Sequence, residues 1–270
     1  MMNKHFVDNW YKVEQINSTT FVIHEPRYWQ KNNQYLIIGS EAALLFDSGS
    51  GRRKMAPLIE KLTNKPVILF NSHAHYDHIG NNNEFSNIAM TNLAINKQQT
   101  KGNFFSPQWS IRLSPKRYSF RISHWYEIHE SIDLGDRKLT ILPLPGHSKD
   151  HVGLMDEKNG YMFVADTLYH APLIANLPTA NIVDYYTSAK LLDDIYENHQ
   201  IFGNHYAHSP SIGRQEIHDL ITVCEQATGY SRRWKDYVTP FITFSYGTIK
   251  MYVSHSSLNK VDQARKKQSH

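Results

Sequence analysis

The chain has 270 residues, with 29 lysines and arginines against 25 aspartates and glutamates, a net charge of +4 with histidines neutral. Hydrophobic residues make up 40% and aromatic residues 12%, which excludes an intrinsically disordered chain and supplies core for one large domain or two fused halves. The single cysteine, Cys224, excludes an intrachain disulfide and a cysteine-based zinc site, and no apolar run approaches a membrane span.

In chain order, residues 20–24, 35–39 and 42–47 read as strands, 52–63 as a helix, and 66–70 as a short apolar strand. That strand runs into His73-Ala74-His75-Tyr76-Asp77-His78. Residues 97–130 follow no clear period and are rich in aromatic and basic side chains, among them Phe105, Trp109, Arg112, Phe120 and Trp125. They read either as an insertion packing its aromatics onto the body or as a flap whose Phe105 and Trp109 touch an apolar part of a substrate. Residues 139–142 and 161–165 are strands, the first followed by Pro145-Gly146-His147 and the second ending at Asp166. Residues 184–198 and 211–227 read as helices, separated by the short apolar segment before His205. Residues 238–254 read as a hairpin around Tyr246-Gly247, and 256–270 as a frayed polar tail.

Repeatedly, an apolar strand stops and a metal-ligating residue type follows at once. Strand ends fixed by a packed sheet can hold ligands to the tolerance that metal chemistry needs. Alternate residues of an extended segment project to one side, so His73 and His75 can share one metal, while Asp77 and His78, past a bend, reach a second. Imidazole nitrogen with carboxylate oxygen suits zinc, iron or manganese better than calcium or magnesium.

The ordered segments Leu45-Phe46-Asp47-Ser48-Gly49, His73 through His78, Pro145-Gly146-His147-Ser148, Ala165-Asp166-Thr167-Leu168-Tyr169 and Gly203-Asn204-His205 resemble the metallo-β-lactamase superfamily. The resemblance implies an α+β fold, a four-layer αββα sandwich of two similar halves, here about 15–95 and 131–255. These are joined by the insertion at about 97–130 within a single domain of residues 1–270. It implies that His73, His75 and His147 hold a first divalent metal ion, that Asp77, His78 and His205 hold a second, and that Asp166 bridges them, with zinc the expected metal and iron or manganese the alternatives. Asp47 would orient a ligand imidazole by hydrogen bond. Two departures from the family pattern stand out: Ile79-Gly80-Asn81 follows the His motif, and Tyr206 follows His205, where it is expected to narrow the pocket on the second-metal side and to contact substrate.

Two such ions about 3.5–4 Å apart would share a bridging hydroxide that attacks a scissile carbonyl or phosphoryl group. Asp77 would ligate and steer the hydroxide proton, and Tyr169, three residues beyond Asp166, would donate to the developing oxyanion, as in the lactone-hydrolysing members that this sequence resembles. His151 is expected to support the site without ligating. The bridging carboxylate, and the lack of room for an added nuclease or flavin domain, point to a cytoplasmic, glyoxalase II-like or lactonase-like hydrolase of a small-molecule ester, thioester or lactone. No nucleic-acid or membrane partner is expected. The N-terminal residues 1–8 lack the apolar core of a secretory signal, which supports the cytoplasm. Two rivals remain: a mononuclear-iron sulfur dioxygenase, and a non-catalytic metal-binding sensor or interaction module of the same fold.

Overall fold

The computed structural model describes residues 4–6, 8–107, 119–205, 209–231 and 233–268. The strands are β1 (Lys4–Phe6), β2 (Lys12–Asn17), β3 (Thr20–His24), β4 (Asn33–Ile38), β5 (Ala43–Phe46), β6 (Val67–Phe70), β7 (Ile88–Thr91), β8 (Thr100–Lys101), β9 (Phe104–Phe105), β10 (Phe120–Arg121), β11 (His124–Tyr126), β12 (Ser131–Asp133), β13 (Lys138–Pro143), β14 (Val152–Asp156), β15 (Tyr161–Ala165), β16 (Leu173–Ala175), β17 (Gln200–Gly203), β18 (Ser211–Ile212), β19 (Phe241–Tyr246) and β20 (Ile249–Ser254). The helices are α1 (Ala56–Leu62), α2 (Ala94–Gln98), α3 (Ile182–Tyr196), α4 (Arg214–Gly229) and α5 (His255–Gln268). The chain divides into two compact units, Met1–Ile141 and Leu142–His270, with the division falling inside β13.

In the first unit an eight-stranded sheet has the order β1-β2-β3-β4-β5-β6-β7-β11. Its central strands β5, β6 and β7 are parallel, with Phe46 beside Phe70 and Phe70 beside Ala89. Ala43–Phe46 and Ile88–Thr91 are buried throughout, as parallel strands covered on both faces are. Because β5 and β6 end side by side, the chain leaves both at one level, and Asp47 lies next to the start of the His cluster. Helix α1 is shorter than the 52–63 expected. Pro57 lies in its first turn, where a missing N–H costs little, and Glu84 Oε2 accepts the backbone N–H groups of Met55 and Ala56 at 2.8 Å each. Arg52–Lys54 remain a loop.

The segment expected to be an insertion belongs to this unit. β8, β9 and β10 form a small antiparallel sheet, and β11 extends the main sheet beside β7. Phe105, Phe120 and Ile122 are buried in the first unit's core. Phe105, expected to meet substrate, instead packs against Phe120 with ring centroids 5.2 Å apart and no exposed surface, so its work is packing. Trp109 lies outside the described residues.

In the second unit β14, β15, β17 and β18 follow one another in a mixed sheet, and β16, β20 and β19 form a second sheet. The core gathers Leu144, Val164, Tyr185, Leu192, Leu220 and Met251. The hairpin expected over 238–254 is β19–β20, turning at Gly247, whose φ of 52° lies in the left-handed region glycine tolerates. The tail expected to fray is instead α5. Leu258 and Val261, spaced i and i+3, enter the core, and Ser257 Oγ accepts the N–H of Ile182 at 2.7 Å. The basic end of the segment masks that apolar pair in the sequence. No helix among the described residues is long and apolar enough to cross a membrane.

Candidate metal centre

The first unit carries His73, His75, Asp77 and His78, all buried, in the loop after β6. The loop is fastened by Asp47. Asp47 Oδ1 accepts the N–H of Ser72 at 2.8 Å, and its Oδ2 accepts the Ser72 hydroxyl at 2.7 Å and Nδ1–H of His78 at 2.8 Å. Ser72 has one proton, and it goes to the carboxylate. Its oxygen, 2.9 Å from His73 Nδ1, must therefore accept from that nitrogen. Both His73 and His78 thus donate from Nδ1, the arrangement that leaves Nε2 as the nitrogen to meet a metal. Asp47 does this from a left-handed backbone, φ 67°, an uncommon conformation for a residue with a Cβ and one that Asp tolerates better than most. The His73 ring lies 4.3 Å from that of His75 and 4.2 Å from that of His78, centroid to centroid.

Asp77 is held from the loop between β3 and β4. Gln30 Nε2 donates to Asp77 Oδ2 at 2.9 Å, Asn32 Nδ2 donates to its carbonyl at 2.7 Å, and Tyr76 donates to Gln30 Oε1 at 2.9 Å. Glu25, at the start of the same loop, accepts the N–H and hydroxyl of Ser50 at 2.9 and 2.7 Å and so pins the segment after Asp47. Burial pushes its carboxyl above the usual range, and the charge of Asp77 adds to that, against the opposing bonds from Trp10 and Ser50.

The second unit carries its own cluster, His147, Asp166 and His205, all buried. β15 and β17 are parallel, with Ala165 beside Gly203, so Asp166 and His205 leave adjacent strand ends. The register shifts between Phe163 and Ala165, and Ala165 takes φ 43°, which re-aims the chain at Asp166. A Cβ on Gly203 would meet the Leu168 carbonyl at 2.1 Å, so only glycine fits before Asn204-His205. The Asp166 backbone is held at both its N–H and its carbonyl. His151 Nε2 accepts its N–H at 3.0 Å, and the buried Tyr185 hydroxyl contacts its carbonyl at 3.2 Å and that of Thr167 at 2.7 Å. Burial raises the Tyr185 phenol well above its ordinary pKa, so it stays a donor. The same α3 residue packs on Gly146, where a Cβ would lie 2.4 Å from Tyr185 Cα. Ser188 donates to the Pro145 carbonyl and Asn181 N–H to that of Gly146, so α3 carries both the His147 turn and the Asp166 turn.

His147 donates from Nδ1 to the Ile174 carbonyl at 2.7 Å, which turns its Nε2 to Asp166. That Nε2 lies 3.3 Å from Asp166 Oδ2, and His78 Nε2 lies 3.5 Å from Asp77 Oδ2. A buried carboxylate oxygen beside an imidazole nitrogen calls for positive charge between them, which a proton or a metal ion supplies. Ligands on arms of about 2.0–2.1 Å stand roughly 2.9–3.4 Å apart around a tetrahedral or octahedral ion, close to these separations and to the 2.9 Å from His205 Nε2 to Asp166 Oδ1. The donor set therefore fits metal. All seven residues expected to ligate are buried candidate ligands of the right kinds.

A family model described as "Metallo-beta-lactamase superfamily" matches residues 27–214. The chain belongs to the metallo-β-lactamase superfamily. Among curated members it is similar to the acyl-coenzyme A thioesterase MBLAC2 of Gallus gallus, at 24% identity over 88% of this chain and 98% of that one. It is also similar to a hydroxyacylglutathione hydrolase of Synechococcus, at 25% identity over 42% of this chain and 40% of that one. Among solved structures it is similar to a metallo-beta-lactamase from Pontibacter korlensis, with a TM-score of 0.61 and 16% identity over 80% of this chain and 99% of that one. The α+β superfamily fold expected from the sequence is thereby shown.

Sequence reasoning missed Gln30, Ser72 and Tyr185. Ser72 immediately precedes the His73–His78 motif and was legible as a neighbour of its candidate ligands, but Gln30 and Tyr185 carry no local signal: one is a loop amide, the other an apolar position of a helix. Tyr169 packs edge-on against His205, centroids 4.9 Å apart, and its hydroxyl donates to the Pro172 carbonyl at a long 3.3 Å. Tyr206 lies outside the described residues.

Proposed function

We propose that this protein is a metal-dependent hydrolase of small-molecule thioesters. His73, His75 and His147 would hold one ion, Asp77, His78 and His205 a second, and Asp166 would bridge both. The observation that carries the reading is the Asp166 carboxylate, which turns one oxygen to His147 and the other to His205. Thioester cleavage, among the ester, thioester and lactone chemistries that the motif allows, is supported by relatives named for it: the acyl-coenzyme A thioesterase and the hydroxyacylglutathione hydrolase.

Bound there, the ions would supply Lewis acidity and a water activated near neutral pH. Asp77 steers the proton of the attacking water, its Oδ2 held in place by Gln30. Tyr169 exchanges its long bond to Pro172 for one to the developing oxyanion. Asp47, Ser72 and the Ile174 carbonyl keep three imidazoles in the metal-binding tautomer.

Elemental analysis of the purified protein, with a panel of thioesters, esters and lactones assayed under zinc, iron and manganese in turn, tests the reading. Two ions per chain and preferential thioester cleavage are expected. His75→Ala should abolish turnover and keep the far-UV circular dichroism spectrum. One iron per chain with oxygen uptake would replace this reading with the dioxygenase, and wild-type rates in His75→Ala would end it.

A further inference from the structure

The loop between Ser50 and α1 presents three consecutive cations, Arg52, Arg53 and Lys54, all exposed. With Lys61 one turn along α1, and with Asp8 and Leu58, they line a cavity of about 500 Å³, large enough for a nucleotide-sized ligand. The loop backbone is fixed. Tyr11 donates to the Arg53 carbonyl at 2.7 Å, Arg52 N–H donates to Ser50 Oγ at 3.3 Å, and Glu84 holds Met55 and Ala56. Gly51 takes φ 69° and lies against Gly80 so closely that a Cβ would meet its carbonyl at 2.5 Å. None of the four cations is in an ion pair, counted among the described residues. Asp8, the one acid lining the cavity, has Oδ1 bonded to the N–H groups of Trp10 and Tyr11 at 2.7 and 2.6 Å. A solvated basic face would scatter such charges. Here they sit on a pinned loop around one concavity.

We propose that this cavity binds the phosphates of a nucleotide-bearing thiol carrier, so that the thioester substrate is a coenzyme A-type acyl donor. The inference rests on the thioester reading above. Arg52 is five residues from Asp47, so the two Cα atoms are at most about 18 Å apart along an extended chain, within the span of a phosphopantetheine arm. Guanidinium forks take phosphate oxygens in pairs, and two adjacent arginines with two lysines match a diphosphate and a ribose phosphate.

The test uses adenosine 3′,5′-bisphosphate as probe, the phosphate-bearing end of the carrier without its thioester. Calorimetry on the wild-type protein should show binding that weakens as salt rises, and the triple variant Arg52→Ala/Arg53→Ala/Lys54→Ala should weaken it tenfold or more. The ratio of kcat/KM for an acyl-coenzyme A to that for the same acyl group on N-acetylcysteamine should fall by a similar factor in the triple variant. Bisphosphate binding lost in the variant, in a protein that cleaves no thioester, would keep the phosphate site and remove the thioester reading. No bisphosphate binding, or an unchanged substrate ratio, would overturn the proposal. So would inorganic phosphate or single-stranded RNA binding as tightly as the bisphosphate, which would make the loop a general anion patch.

Discussion

Asp47 and His78 are 31 residues apart in sequence and joined by a 2.8 Å hydrogen bond that decides which nitrogen of the imidazole can meet a metal. The bond exists because β5 and β6 run parallel and end together, and because Ser72 fills the gap between the carboxylate and His73. One buried carboxylate therefore sets two tautomers.

Asp47→Asn keeps the size and the tolerance for a left-handed backbone but replaces one acceptor oxygen with a donor, so it cannot accept the Ser72 N–H on one side and the Ser72 hydroxyl and His78 on the other. Metal affinity should fall by about 10- to 100-fold, as when an orienting partner is lost. Chelator competition measures this, and unchanged affinity would remove Asp47 from the site's support.

Tyr185→Phe strips the hydroxyl that holds the carbonyls of Asp166 and Thr167. The two buried acceptors should reduce stability by about 1–3 kcal/mol, read from denaturant unfolding of the metal-free protein, and metal should bind more weakly. Gly146→Ala acts on another part of the same residue, by driving a Cβ into Tyr185 Cα, Cβ and Cγ, atoms that phenylalanine keeps. A double variant should lose less than the sum of the two, because a shift of Tyr185 that relieves this clash already draws its hydroxyl away from both carbonyls.

Tyr169→Phe leaves a ring that still packs against His205 and removes only the phenol. Turnover of a thioester should slow about tenfold or more while KM and metal content hold. An unchanged kcat would reduce Tyr169 to a wall of the site.

Asp219 offers a pH test away from the candidate metal ligands. Burial alone would raise its carboxyl, but the N–H and hydroxyl of Thr248, the Gln215 amide and the charge of His218 outweigh it and hold the pKa below the ordinary carboxylate value. A group depressed by folding stabilises above its unfolded pKa, and that contribution disappears as pH falls through the folded value. Asp219→Asn should therefore lower Tm at neutral pH, through loss of bonds between the β19–β20 turn and α4, and the gap to wild type should close in acid. A gap that stays constant down to pH 2 would refute the assignment.

The sequence by itself determined the inventory of candidate ligands and their order. A run such as His73-Ala74-His75-Tyr76-Asp77-His78 has no obvious packing use, and an apolar strand before each candidate ligand leaves few places for it to stand. The strands 20–24 and 161–165 and the helix beginning near 184 were legible for the same local reason, a period matched to the backbone. Tertiary structure alone decided the rest. That Gln30 holds Asp77, that Tyr185 braces both the His147 and the Asp166 turns, that Phe105 is core and that residues 255–268 are helical all depend on partners distant in the chain. Hydrogen bonding and burial are properties of neighbours in space, and a residue's own type and spacing carry no record of who those neighbours are.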